Sequence, residues 1–106
     1  MESDYLIVLT TLPLDQDADR FAELLVREKL AACVNVLPPM RSTYAWQGAI
    51  ESADERQVAI KTTRGRVREL EARIKTLHPY DVPEFVVVPI AAGSHEYLSW
   101  LSDSTK

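Results

Sequence analysis

Leu77-His78-Pro79-Tyr80-Asp81-Val82-Pro83-Glu84 runs directly into Phe85-Val86-Val87-Val88-Pro89-Ile90, so a wholly apolar run follows a polar segment punctuated by prolines. Each proline fixes its own φ and drives the preceding residue toward extended geometry, which removes His78 and Val82 from the helical region. The segment therefore reads as the end of a helix, a stiff loop presenting Tyr80, Asp81 and Glu84, and a buried strand from Glu84 to Pro89 or Ile90.

Upstream, Val67, Leu70, Ile74 and Leu77 recur at helical spacing, and the charged residues between Arg66 and Lys75 fall mostly outside that stripe, predicting an amphipathic helix. Before it, Arg56 to Thr63 reads as a strand with Val58, Ile60 and Thr62 on one face. Ala49 to Ser52 is read as the return from a Gln47-Gly48 turn, and Glu51 and Asp54-Glu55 as a solvated turn between hairpin and strand. Cys33 to Leu37 is extended, Pro38-Pro39 interrupts it, and Arg41 to Trp46 alternates again. Tyr5 to Thr11 is β-branched and apolar, predicting the first strand. Asp15 and Asp17 suit the start of a helix that runs through Ala18, Phe21, Ala22 and Leu25 to about Leu30. Ser94 is the expected cap of a last helix carrying Tyr97, Leu98, Trp100 and Leu101.

The order β, α, β, β, α, β, α is the split pattern of an α+β, ferredoxin-like βαββαβ sandwich with an extra C-terminal helix. At 106 residues the chain is read as one domain spanning 1–106, large enough to bury roughly two thirds of its unfolded surface. Leu6 to Leu9 and Phe85 to Val88 are apolar at every position, so both faces of those strands need cover. Two main helices shelter one face of four strands, and another copy of the chain is expected to shelter the other, predicting a homo-oligomer. Tyr44 and Trp46 share one face of the hairpin arm and are the candidate interface residues; packing of Trp46 on its own cross-strand partner is the local alternative.

Twelve Lys and Arg against sixteen Asp and Glu give a net charge of −4, which argues against a phosphate backbone as partner. The single cysteine excludes an intramolecular disulfide framework and suits a reducing compartment. Met1-Glu2-Ser3-Asp4 carries acidic residues where a secretory leader carries basic ones, and the longest apolar runs fall short of a membrane span. A cytoplasmic protein without membrane or nucleic-acid partners is expected.

His78, His95 and Cys33 are the only nitrogen and sulfur ligands a metal would find, and none forms a local pair. His78 is the metal candidate, with Asp81 or Glu84 to complete a site; the competing role is a histidine at a helix end satisfying free carbonyls. Cys33 reads as a small core residue and His95 as an exposed residue near a helix start. Lys61, Tyr80 and Glu84 are candidates for a polar cleft between subunits, with a plain Lys61–Glu84 ion pair as the alternative. No nucleophile elbow, paired histidine and cysteine, or Gly-rich phosphate loop is present, and no enzymatic reaction is proposed.

The proline loop, together with Ala32-Cys33-Val34-Asn35 and Tyr44-Ala45-Trp46-Gln47-Gly48, closely resembles the CutA family of divalent-cation tolerance proteins, from about Ile7 to Thr105. The resemblance implies a tight homotrimer whose sheets pack inward, with the long second strand reaching a neighbour. It also implies a response to divalent metal ions and binding of copper or another divalent cation. Copper-binding members carry a cysteine at the place of Thr10 and two adjacent histidines at the places of Leu77 and His78, of which this chain keeps His78. The fold also resembles the PII signalling proteins, implying as an alternative a regulatory module that holds a small anion or metabolite between subunits without metal.

Overall fold

The computed structural model describes residues 3–106, so Met1 and Glu2 of the acidic start lie outside the described residues. Four antiparallel strands form one sheet in the order β2-β3-β1-β4: β1 Tyr5–Pro13, β2 Cys33–Trp46, β3 Ala49–Thr63 and β4 Val86–Pro89. Three helices accompany them, α1 Ala18–Arg27, α2 Val67–Leu77 and α3 His95–Ser104, with a short 3₁₀ turn at Arg64–Arg66 before α2. This is the ferredoxin-like order with the additional C-terminal helix.

Alternation along β1 and β3 decides which face is covered. Val8 and Leu12 of β1 and Val58 and Ile60 of β3 meet Phe21 and Leu25 of α1 and Leu70 and Ile74 of α2 in one core. The residues between them face the other way, where Ile7 and Leu9 remain half-buried. On the edge strand β4, Val86, Val87 and Val88 are all exposed. Tyr97 and Trp100 of α3 pack on each other, 5.5 Å between ring centroids, and both stay exposed.

Local chemistry sets the ends of the elements. The Asp17 side chain accepts from Arg20 N–H and caps α1, and the Ser94 hydroxyl accepts from Tyr97 N–H and caps α3. Helix α1 stops at Arg27, short of the expected Leu30. Lys29 adopts φ 61°, and the N–H groups of Lys29 and Leu30 return to the carbonyls of Val26 and Leu25. That is a Schellman closure with lysine where glycine is usual.

Strand β3 corrects the sequence reading, because it is one continuous element from Ala49 to Thr63 without the expected turn at 51–55. The long hairpin closes at Gln47-Gly48, both at positive φ, with Trp46 opposite Ala49. One extra residue at Leu37-Pro38 bulges β2 between the Val36–Val58 and Pro39–Arg56 pairs. Beyond the bulge the hairpin leaves the helices and becomes an arm. A 12.0 kDa chain is expected to expose about 6,000 Å², whereas this one exposes 6769 Å² over extents of 45 × 30 × 24 Å.

Candidate functional site

Helix α2 ends because Pro79 forces His78 out of it: His78 sits at φ −86°, ψ 138° as the C-cap, its N–H still donating to the Ile74 carbonyl at 2.8 Å. The imidazole is buried and both nitrogens are engaged. Nδ1 accepts the Tyr80 N–H at 3.1 Å, so the proton sits on Nε2, which donates to the Thr11 carbonyl of β1. His78 thus fastens the start of the proline loop to the sheet.

The loop is fastened again at its far end. Gln57 Nε2 donates to a Glu84 carboxylate oxygen at 2.8 Å and to the Thr10 carbonyl at 2.7 Å, tying loop, β3 and β1 together. Between these anchors the Tyr80 hydroxyl donates to Glu55 at 3.4 Å, and its ring tilts against His78 with centroids 4.8 Å apart. Burial first, then the negative charge of Glu55, pushes the Tyr80 phenol above its ordinary value.

Loop and arm enclose a groove of about 770 Å³. Tyr44 and Trp46 contribute from the arm and Tyr80 from the loop, while Glu51, Glu55, Asp81 and Glu84 supply carboxylates. No lysine or arginine is among the lining residues. The solvated turn expected for Glu51 and Glu55 does not exist; both sit on β3, and Glu55 is only 7 % exposed because the loop folds over it. The period-2 placement of Glu51, Glu55 and Gln57 on one strand face is the available sign, and the acidity of the segment hides it.

Of the residues singled out from sequence, Tyr44, Trp46, Tyr80 and Glu84 come together here, with His78 beneath the loop. Lys61 does not join them. It pairs with Ile7 and Cys33 and holds its Nζ 5.8 Å from the Tyr97 ring centroid. It shares a strand face with Gln57 but lies four residues further on, about 13 Å along the strand. The plain Lys61–Glu84 ion pair is therefore not formed within the chain; Gln57 holds Glu84 instead. Cys33 is half-buried on edge strand β2 and not in the core, and His95 is exposed as the first residue of α3.

The family model described as CutA1 divalent ion tolerance protein matches residues 6–104. The chain belongs to the CutA1 divalent ion tolerance family. It is 46% identical over 99 residues to the divalent-cation tolerance protein CutA of Thermus thermophilus, covering 93% of this chain and 96% of that protein. A solved structure of the divalent cation tolerance protein from Thermus thermophilus superposes with a TM-score of 0.92 at 45% identity, covering 96% of this chain and 99% of the other. The chloroplastic CutA of Arabidopsis thaliana is 40% identical over 101 residues, 95% of this chain and 56% of that protein. No helix among the described residues is long and apolar enough to cross a membrane.

Family membership raises the question of a cation site, and one chain does not form a closed one. Among the described residues no three His, Cys, Asp or Glu side chains converge as a metal centre. The positions at which the resemblance implies copper ligands beside His78 are differently used here. Thr10 is fully buried with its hydroxyl unpartnered, and Leu77 packs against the core. His78 would have to release the Tyr80 N–H before Nδ1 could reach an ion.

Proposed function

We propose that this chain acts in the response to divalent metal ions as a cytoplasmic homotrimer, taking up cations weakly at the groove between arm and proline loop. The observation that supports cations over anions is the lining itself: Glu51, Glu55, Asp81 and Glu84 stand there without a lysine or arginine. Electrostatic complementarity in such a groove concentrates cations and repels the small anion of the PII-like alternative. Lys61, the residue that would favour an anion, is at the other end of the sheet face and would need a second copy to bring it close.

In the trimer the open sheet face around Ile7, Leu9, Val86 and Val88 packs against neighbouring copies, and the arm carries Tyr44 and Trp46 toward the next subunit. The groove then lies at the boundary between subunits, where donors from more than one chain can complete a site. Copper, which tops the divalent affinity series, is the ion most readily held by so incomplete a donor set. His78 serves this site chiefly by fixing the loop. No catalytic role is assigned.

Metal analysis of protein purified without added metal or affinity tag, followed by calorimetry with Cu²⁺ and Zn²⁺ on wild type and His78→Ala, tests the reading. Saturable uptake by the wild type, weakened in the variant, is expected. Equal and non-saturable uptake by both proteins would remove the site.

A further inference from the structure

The resemblance implies copper ligands at the places of Thr10, Leu77 and His78, and the chemistry of these side chains does not fit them. Copper and zinc ions are held best by imidazole nitrogens and thiolate sulfurs, whereas Thr10 offers a neutral hydroxyl and Leu77 no donor. The Thr10 hydroxyl is buried without a hydrogen-bond partner. Alternation along β1 places it on the face of Val8 and Leu12, both members of the core against which Leu77 packs. His78 alone is left, and both of its ring nitrogens are bonded within the chain. Freeing Nδ1 for an ion would leave the Tyr80 N–H without its acceptor.

What His78 does instead follows from where β4 stops. The β1–β4 ladder runs from the Leu6–Pro89 pair to Leu9–Val86 and ends there. The next two carbonyls of β1 are met by side chains: Gln57 Nε2 donates to Thr10 at 2.7 Å, and His78 Nε2 donates to Thr11. Each of these side chains also holds one end of the proline loop. Gln57 donates to Glu84 at 2.8 Å, and His78 Nδ1 accepts the Tyr80 N–H at 3.1 Å. Pro79 and Pro83 have no N–H with which to extend the ladder, so the loop is tied to the strand through side chains.

We infer that the place of the implied copper site is a joint in this chain: His78 and Gln57 are positioning residues that hold the proline loop on β1 where the ladder ends, and neither Thr10 nor His78 ligates a metal ion. The joint stands whether or not the groove takes up cations. Any weakening of uptake by His78→Ala then reflects a displaced loop and not a lost ligand.

Two measurements on the intact protein test this. Nitrogen NMR of the His78 ring should show Nε2 protonated and Nδ1 unprotonated, unchanged on titration with Zn²⁺ to millimolar concentration. A shift or loss of either ring signal on adding Zn²⁺ overturns the inference and leaves cation uptake standing; an unchanged ring with no saturable uptake supports the joint and removes the cation reading. Amide exchange at Tyr80 then reads the joint itself. In His78→Asn the side-chain oxygen takes the place of Nδ1 and accepts the same N–H as an Asx-turn, so exchange should stay within about twofold of wild type. His78→Gln keeps a donor for Thr11 but loses that acceptor, and exchange at Tyr80 should quicken about tenfold or more, as in His78→Ala. Should His78→Ala fail to fold, the Gln variant carries the same reading. Wild-type exchange in all of these variants would overturn the joint.

Discussion

Strands β2 and β3 are built from one hairpin, yet its two halves live in different surroundings. At the base, Val58 and Ile60 are 0% exposed beneath α1 and α2. In the arm, Trp46 is 49% and Ile50 77% exposed. The ladder runs through both halves, from Val36–Val58 across the bulge to Trp46–Ala49. Backbone hydrogen bonds alone contribute little net stability in water, so the base stands on buried apolar surface and the arm lacks that support. The proposed homotrimer supplies that support from a neighbouring copy.

The largest effect should come from the base. Ile60→Ala removes buried methylenes from the main core and is expected to cost about 2–5 kcal/mol, whereas Ile50→Ser in the arm should change unfolding by less than about 0.5 kcal/mol. Denaturant titration of both at equal protein concentration checks the contrast; equal losses would break it. Next is Trp46→Ala, expected to leave the base intact while weakening self-association about tenfold or more, as loss of an interface aromatic does. Sedimentation across a dilution series reads this, and an unchanged mass and unchanged resistance to dissociation would return Trp46 to a purely local role.

Much of this contrast is legible in the sequence. The alternation of Val58, Ile60 and Thr62, the stripe of Leu70 and Ile74, and the caps Asp17 and Ser94 act through local chemistry and nearest neighbours, so order and type of elements follow. The Pro79 and Pro83 punctuation likewise announces the stiff loop. What escapes depends on residues far apart in the chain. Glu55 is buried only because residues 79–84 fold across it, and Gln57 matters only because it meets both Thr10 and Glu84. Lys61, grouped from sequence with Tyr80 and Glu84 in a cleft between subunits, stands within one chain at the far end of that face because of strand register. Lysine at φ 61° after α1 is equally unannounced, since glycine is the residue that marks such an end.

That lysine offers a smaller and opposite perturbation of the base. Lys29→Gly relieves a left-handed backbone position and is expected to stabilise the chain by about 0.5–1 kcal/mol, without altering assembly. Thermal unfolding and sedimentation together check both halves of the statement. The subtlest probe is the Tyr80 phenol at the junction of loop and arm. Its value is raised in the folded chain by burial and by Glu55, so the folded state holds that proton more tightly than the unfolded one. The associated stability is whole below the ordinary tyrosine value of about 10 and is lost as pH rises through the folded value. Spectrophotometric titration of phenol ionisation should show the Tyr80 step move down in Glu55→Gln, with burial still holding it above an exposed tyrosine; no movement would separate Tyr80 from Glu55.

Sedimentation equilibrium of the purified, untagged chain at micromolar concentration tests the central claim most directly, that copies of the chain cover the open sheet face and the arm. A single species of three chains, persisting on dilution through the micromolar range, is predicted. A folded, well-behaved monomer under those conditions would contradict it.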